Sequence, residues 1–206
     1  DLHRCFPQAQ LSIVYGSTEA EPIAVLDATQ HLDALEESEV QGRGILVGQP
    51  VPAAQVRIVA DEICVSGPHV NPSYLDDPDA TAQTKTQEVL KDGTTRIWHR
   101  TGDAGCEDRD GNLWLFGRIG QDVAGVWPFL MEPRAEHPSF VMRAALVAYR
   151  ERPILAVQLK HPPDDWMNTL KRILHDSESS VSILRVAEIP LDPRHNAKVD
   201  RKALTD

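Results

Sequence analysis

Two short runs, Val56-Arg57-Ile58-Val59 and Glu62-Ile63-Cys64-Val65-Ser66, alternate in side-chain character with a period of two. Strands repeat with that period, whereas a helix repeats every ~3.6 residues. The two runs therefore read as half-buried strands. Gly42, Gly44, Gly48, Pro50 and Pro52 come before them, and Pro68, Pro72 and Pro78 after. These residues are expected to break the chain into turns. Thr95-Arg96-Ile97-Trp98 is a further strand candidate. Asp110-Gly111, between Cys106 and Leu113-Trp114-Leu115-Phe116, predicts a β-hairpin. The middle of the chain is mostly β.

The flanks are mixed. Leu11-Ser12-Ile13-Val14-Tyr15 is a β-prone run ending at Gly16, a junction of the kind where α/β proteins place ligand groups. Residues 27–39 are polar and acidic, a surface helix or a loop. Residues 79–87 are a polar helix candidate, and Lys91-Asp92-Gly93 is a turn signal. After Arg118 the character changes. Residues 142–149 and 154–160 read as strands joined by a tight turn at Arg150-Glu151-Arg152-Pro153. A helix starting near Asp164 would gather Trp166, Met167, Leu170, Ile173 and Leu174 on one face. Residues 181–186 are another strand candidate. The expected fold class is therefore α/β and α+β: a mixed α/β edge at 1–40, a β-rich part to about 118, and a small α+β domain after it. The predicted division is 1–118 and 119–206, with the boundary near 118–122.

Composition excludes some functions. The net charge of −10 over 206 residues argues against a nucleic-acid binder, which needs a basic surface. It leaves room for a nucleotide site, where a few local cations suffice. No apolar run approaches the ~20 residues that cross a bilayer. Asp1-Leu2-His3-Arg4-Cys5 lacks both a signal-peptide pattern and an initiator Met, so the start reads as a processed, cloned or partly observed end. Cys5, Cys64 and Cys106 are scattered and odd in number, which suits neither a metal site nor a disulfide framework. A reduced, cytoplasmic setting is expected.

Three segments carry chemistry: Tyr15-Gly16-Ser17-Thr18-Glu19, His99-Arg100-Thr101-Gly102-Asp103, and Arg194-His195-Asn196-Ala197-Lys198-Val199-Asp200-Arg201. Gly16 lets backbone approach a flat ligand without a Cβ clash. Thr18 offers a hydroxyl, and Glu19 a carboxylate of the kind Mg²⁺ prefers. The plain alternative is a strand followed by a helix cap at Ser17 or Thr18. Asp103, after a Gly turn, suits two charge-assisted hydrogen bonds from a ribose diol. Arg118 follows fifteen residues later. Lys198 is a mobile point charge able to bridge a carboxylate and a phosphate. His69, His99 and His195 have no ligand-type spacing. Trp98, Trp114, Trp127 and Phe129 read as packing aromatics. Gly42-Arg43-Gly44 lacks the third glycine of a dinucleotide fingerprint, with Val47 in its place.

In that order the three segments resemble signature motifs of the adenylate-forming enzymes, the superfamily of acyl-CoA synthetases, peptide-synthetase adenylation domains and luciferases. W-H-R-T-G-D-A-G and R-H-N-A-K-V-D-R are most similar to the branch that includes the olefin-pathway β-lactone synthetases. The resemblance covers nearly the whole chain and corresponds to the last third to half of a family member. It implies Tyr15 and Gly16 against adenine, Thr18 near the α-phosphate, Glu19 at Mg²⁺, and Asp103 and Arg118 on the ribose. It implies Lys198 in acyl-adenylation, acting when a mobile small domain closes. ATP and AMP are the implied nucleotides, and a fatty or β-hydroxy acid is the implied substrate. Adenylation would be followed by β-lactone closure with release of AMP. Other enzymes of a hydrocarbon or olefin pathway are the implied partners.

The chain also departs from the family. The fourteen residues before Tyr15 hold no Ser/Thr/Gly-rich phosphate loop. Only Asp61-Glu62-Ile63 remains of a longer G-E-x-G-E-I hairpin. The usual hinge acid is Gly120, with Asp122 nearby. Ala124-Gly125-Val126-Trp127-Pro128 replaces the Lys-x-x-Gly stretch used with CoA, which counts against CoA as acceptor. Two further functions stay open: a fatty acyl-CoA ligase, and a non-catalytic remnant that binds a nucleotide or a partner.

Overall fold

The computed structural model describes residues 5–33, 35, 41–174, 181–193 and 198–205. Two compact units divide the chain between Ile119 and Gly120, and residues 41–44 go with the second. The first unit is built on one antiparallel sheet. Its strands are β1 (Ser12–Ser17), β2 (Ala20–Asp27), β3 (Ile45–Pro50), β4 (Gln55–Val59), β5 (Glu62–Ser66), β6 (Lys85–Val89), β7 (Thr95–Glu107) and β8 (Leu113–Arg118). Their spatial order is β1-β2-β3-β8-β7-β5-β4, with β6 also paired to β7. Tyr15, Ile23, Ile63, Val65 and Leu113 form its main buried cluster.

The Tyr15 run does not lead to a helix cap. It turns at Thr18-Glu19 into β2, with Ser17 opposite Ala20. Residues 45–50, read as turns, are strand β3. Gly48 has φ +88°, and a Cβ there would lie 2.3 Å from the Val25 carbonyl oxygen. The glycine permits a close approach to β2, and the pairing of β3 with β8 shifts register between Leu46 and Gly48, so Gly48 marks an irregular strand and not its end. β5 is not half-buried. All five of its residues are buried, because it lies between β4 and β7. Its polar first residue, Glu62, survives burial by accepting hydrogen bonds from Arg100 and the Gly102 N–H.

The helix expected over 79–87 is α1 (Pro78–Thr84) and stops early. Asp77 caps it by accepting the Ala80 N–H at 2.9 Å. Lys85 is already extended and pairs with β7 opposite His99. Cross-strand pairing outweighs helical continuation there. The β4–β5 connection is a two-residue turn, with Ala60 at φ 48° and Asp61 at φ 66°. Both fall in the left-handed region that such hairpin turns require. Of the polar stretch 27–39, residues 34 and 36–39 lie outside the described residues.

In the second unit, β9 (Val141–Tyr149), β10 (Arg152–Leu159) and β11 (Ser182–Val186) form a sheet ordered β11-β10-β9. β10 is antiparallel to β9 and parallel to β11. Arg150 and Glu151, at φ 49° and 61°, make a two-residue turn; Arg152 and Pro153, which the sequence placed in that turn, already belong to β10 and pair with Tyr149 and Ala148. Two helices cover the sheet: α2 (Pro128–Glu136), which the sequence reading did not foresee, and α3 (Trp166–Leu174). Met131, Ala135, Leu146, Leu155, Val157, Leu170 and Leu174 close the core. A short helix, α4 (Arg201–Thr205), ends the described chain.

Leu170 is fully buried. Leu170→Ala is expected to cost about 2–5 kcal/mol, through lost transfer energy and a residual cavity. Urea unfolding of the second unit checks this. A loss below ~1 kcal/mol would mean that α3 does not close the core.

Candidate active site

Two of the motif segments meet within the first unit. Strand β1 places Tyr15 in the core, 7 % exposed, and its hydroxyl donates to Asp103 Oδ2 at 2.9 Å. Burial raises the tyrosine pKa and the adjacent carboxylate adds to this, so the phenol stays a donor. Its ring packs in the main buried cluster of the first unit.

Asp103 lies within β7, not after a turn, directly opposite Arg118 on β8. Arg118 Nη1 donates to Asp103 Oδ1 at 2.7 Å and to the Thr101 carbonyl at 2.9 Å. The fifteen-residue spacing is thus the arc of one hairpin. Its turn is held by Asp108, which accepts from the Trp114 indole at 2.8 Å and from the Asn112 N–H at 2.9 Å. The Asp103 carboxylate is 17 % exposed, and each oxygen keeps acceptor capacity beyond its present partner.

The backbone before Asp103 is fixed by Glu62. Its Oε1 accepts the Gly102 N–H at 3.0 Å, and its Oε2 accepts from Arg100 Nε at 2.7 Å. Thr101 Oγ1 donates to the Ile63 carbonyl at 2.8 Å and accepts the Asp103 N–H at 3.0 Å. Gly102 has φ +72°, and a Cβ there would stand 2.8 Å from Arg118 Nη2. Gly102→Ala is expected to cost about 1–2 kcal/mol of backbone strain and to push the guanidinium aside. Thermal unfolding measures the first effect. An unchanged midpoint would show that β7 relaxes there freely.

Glu19 sits at the β1–β2 turn. Its Oε1 accepts from the Tyr74 hydroxyl at 2.6 Å, and that bond keeps its pKa low. Asn71 N–H donates to the Glu19 carbonyl at 2.8 Å, which pins the turn. His99 Nε2 lies 3.8 Å from Glu19 Oε2, beyond hydrogen-bond reach. Burial, and then the neighbouring Lys85, lower the His99 pKa. Burial likewise lowers that of Lys85. The Lys85 ammonium is buried without a hydrogen-bond partner among the described residues. It lies 5.6 Å from the Tyr74 ring centre. Gly16 and Thr18 are exposed. Gly16 also has a fold-level reason, since a Cβ would meet the Ala20 carbonyl at 2.9 Å.

Sequence reasoning missed Tyr74, Lys85 and Arg100. Tyr74 stands among prolines in a loop, and the Asn71 N–H bond to the Glu19 carbonyl holds that loop beside Glu19. For Glu62 a signal existed in the surviving Asp61-Glu62-Ile63.

In the second unit, Lys198 is exposed. The Asp192 N–H donates to its carbonyl at 2.8 Å, and Leu191 bridges to Val199. His195 and Asn196 lie outside the described residues.

The residues fit the groups that the motifs imply. Asp103 and Arg118 present a carboxylate with spare acceptor sites beside a guanidinium, which suits a ribose diol. Among the described residues no cluster of three His, Cys, Asp or Glu could hold a metal. Among the described residues no helix is long and apolar enough to cross a membrane.

No protein-family model matches the chain. Individual proteins do. The olefin β-lactone synthetase of Stenotrophomonas maltophilia is 32 % identical over 95 % of this chain and 42 % of its own length. That of Xanthomonas campestris is 31 % identical over the same shares. The chain thus spans less than half the length of these curated relatives. Among solved structures, the amide bond synthetase McbA of Marinactinospora thermotolerans superposes with a TM-score of 0.70 at 28 % identity. That superposition covers 94 % of this chain and 41 % of McbA. The O-succinylbenzoate CoA synthetase MenE of Bacillus subtilis, solved with AMP, shares the fold with a TM-score of 0.72 at 21 % identity. It covers all of this chain and 43 % of MenE. By sequence and by fold, the chain belongs to the adenylate-forming superfamily, among proteins similar to the olefin β-lactone synthetases.

Proposed function

We propose that this chain forms part of an ATP-dependent enzyme that activates a fatty or β-hydroxy acid as its acyl-adenylate. Its residues 1–118 would belong to the AMP-binding domain and 119–206 to the small C-terminal domain. The observation that carries the reading is Asp103, whose two oxygens are held by Tyr15 and Arg118 from separate motifs. Such preorganisation is what a ribose site needs, because the carboxylate need not reorient when the diol arrives. Gly16 would offer the adenine a flat backbone, and Thr18 would approach the α-phosphate. Arg118 would hold Asp103 and reach the ribose. Mg²⁺, held in part by Glu19, would neutralise phosphate charge when bound. Lys198 would stabilise charge on the reacting oxygens as the acyl–phosphate bond forms.

Similarity to the β-lactone synthetases supports lactone closure as the second step. The β-hydroxyl would attack the acyl carbon, its proton would pass to solvent, and AMP would leave. A second reading, thioester formation, draws on the indoleacetate–CoA ligase of Aromatoleum aromaticum, 36 % identical over 51 % of this chain. A single assay separates the two. The polypeptide as its source makes it is incubated with ATP and a β-hydroxy acid, with and without CoA. AMP and lactone formed without CoA are the expected products. Strict CoA dependence would favour the ligase, and no AMP under either condition would sink both.

A further inference from the structure

We propose that Arg201, tied to Glu132, is a positioning residue that holds the Lys198 loop in register for its chemistry. The inference rests on the reading of Lys198 given above. The alternative is a solvated basic tail, the usual condition of a chain segment this rich in charge.

The geometry favours the tie. Arg201 follows Lys198 by three residues, at the start of α4. Its Nη2 donates to Glu132 Oε1 at 2.5 Å, and its Nε donates to the Leu146 carbonyl at 3.3 Å. The same Glu132 oxygen accepts the Leu146 N–H at 2.8 Å. Leu146 lies on β9 and is fully buried, so the guanidinium is fastened to the core of the second unit. The two side chains are 26 % and 12 % exposed, which shields the pair from the screening that weakens surface ion pairs. One planar fork serves two acceptors here, an arrangement a lysine ammonium on a flexible stem does not preorganise.

From that anchor the order passes back to Lys198. The Asp200 N–H donates to the Pro190 carbonyl at 2.9 Å, and the Asp192 N–H to the Lys198 carbonyl at 2.8 Å. Leu191 bridges to Val199 between them. On the entering side, the Ile189 N–H donates to Gln158 Oε1 on β10 at 3.1 Å, and Ile189 itself is buried. Asp200 Oδ1 also accepts the Ala203 N–H at 3.0 Å, which starts α4. Lys198 is thus exposed, while the described chain at residues 189–192 and 198–201 is laced to the core and to itself. Gln158 secures the entry and Arg201 the exit.

The test is made on the polypeptide as its source makes it. Removing one partner alone would leave a buried charge unpaired and could unfold the unit. The main variant is therefore Glu132→Met with Arg201→Met, since replacing a buried pair by apolar residues is often neutral for stability. The second is Glu132→Gln, which keeps an acceptor for the Leu146 N–H and removes the charge. Two readouts are taken: hydrogen exchange in a peptide spanning residues 188–193, and the rate of adenylate formation. Exchange there should speed up at least tenfold, with the β10 peptide unchanged. Adenylate formation should slow at least tenfold, with KM for ATP within twofold of the parent. Unchanged exchange in both variants would overturn the tie. Faster exchange with an unchanged rate, while Lys198→Ala is impaired, would overturn the positioning role alone. If Lys198→Ala itself leaves the rate unchanged, the reading of Lys198 fails, and the positioning role fails with it.

Discussion

Lys198→Ala is expected to slow acyl-adenylate formation by about 10²–10³-fold, the range seen when a single preorganised donor to a developing charge is removed. The fold should be indifferent to the change, because the side chain is exposed. Its backbone bond from Asp192 does not involve the side chain. ATP affinity should stay within about threefold, since the charge is needed at the reacting oxygens and not for holding the base or sugar. Pre-steady-state measurement of adenylate, beside equilibrium binding of ATP, separates the two effects. A Lys198→Arg variant tests whether charge alone suffices. Arg keeps the charge but spreads it over a planar group, so only partial recovery is expected. Undiminished adenylate formation in the alanine variant would remove Lys198 from the reaction.

Asp103→Ala should have the second largest effect, and on a different quantity. Charge-assisted hydrogen bonds contribute roughly 1.5–3 kcal/mol each, so AMP affinity is expected to fall about 10- to 100-fold. Stability should fall as well. The Tyr15 hydroxyl would lose its partner within the core, and a buried unsatisfied donor costs about 1–3 kcal/mol. Arg118 would keep its bond to the Thr101 carbonyl. Asp103→Asn is the companion variant. It preserves shape and one acceptor, so it should recover much of the stability and less of the affinity. Calorimetric titration with AMP and thermal unfolding give both numbers. An alanine variant that binds AMP within twofold of the parent would exclude Asp103 as the ribose ligand.

Much of the site was legible as residues, and little of it as neighbours. The β7–β8 hairpin could be read from Asp110-Gly111, because its turn is local and Asp108 closes it within six residues. The β9–β10 hairpin and α3 were legible for the same reason. Strand β3 was not, because Gly48 resembles a terminator until β2 is seen pressed against it. The end of α1 at Thr84 was hidden as well, since the bond that stops it is a pairing with β7. Burial of β5 depends on strands on both sides of it, and no local period records that.

Alone, the sequence determined the hairpin turns at Asp110-Gly111 and Arg150-Glu151, the strand character of β4 and β5, the amphipathic α3 and the identities of the residues able to do chemistry. Each of these depends on interactions a few residues apart. Tertiary structure decided which of those residues meet. It turned Tyr15 into a hydrogen-bond donor to Asp103, set Tyr74 on Glu19, and made Glu62 the brace for Gly102. Those contacts span 40 to 88 residues. They form because desolvated polar groups must find partners wherever the tertiary fold brings them, and no local pattern encodes that.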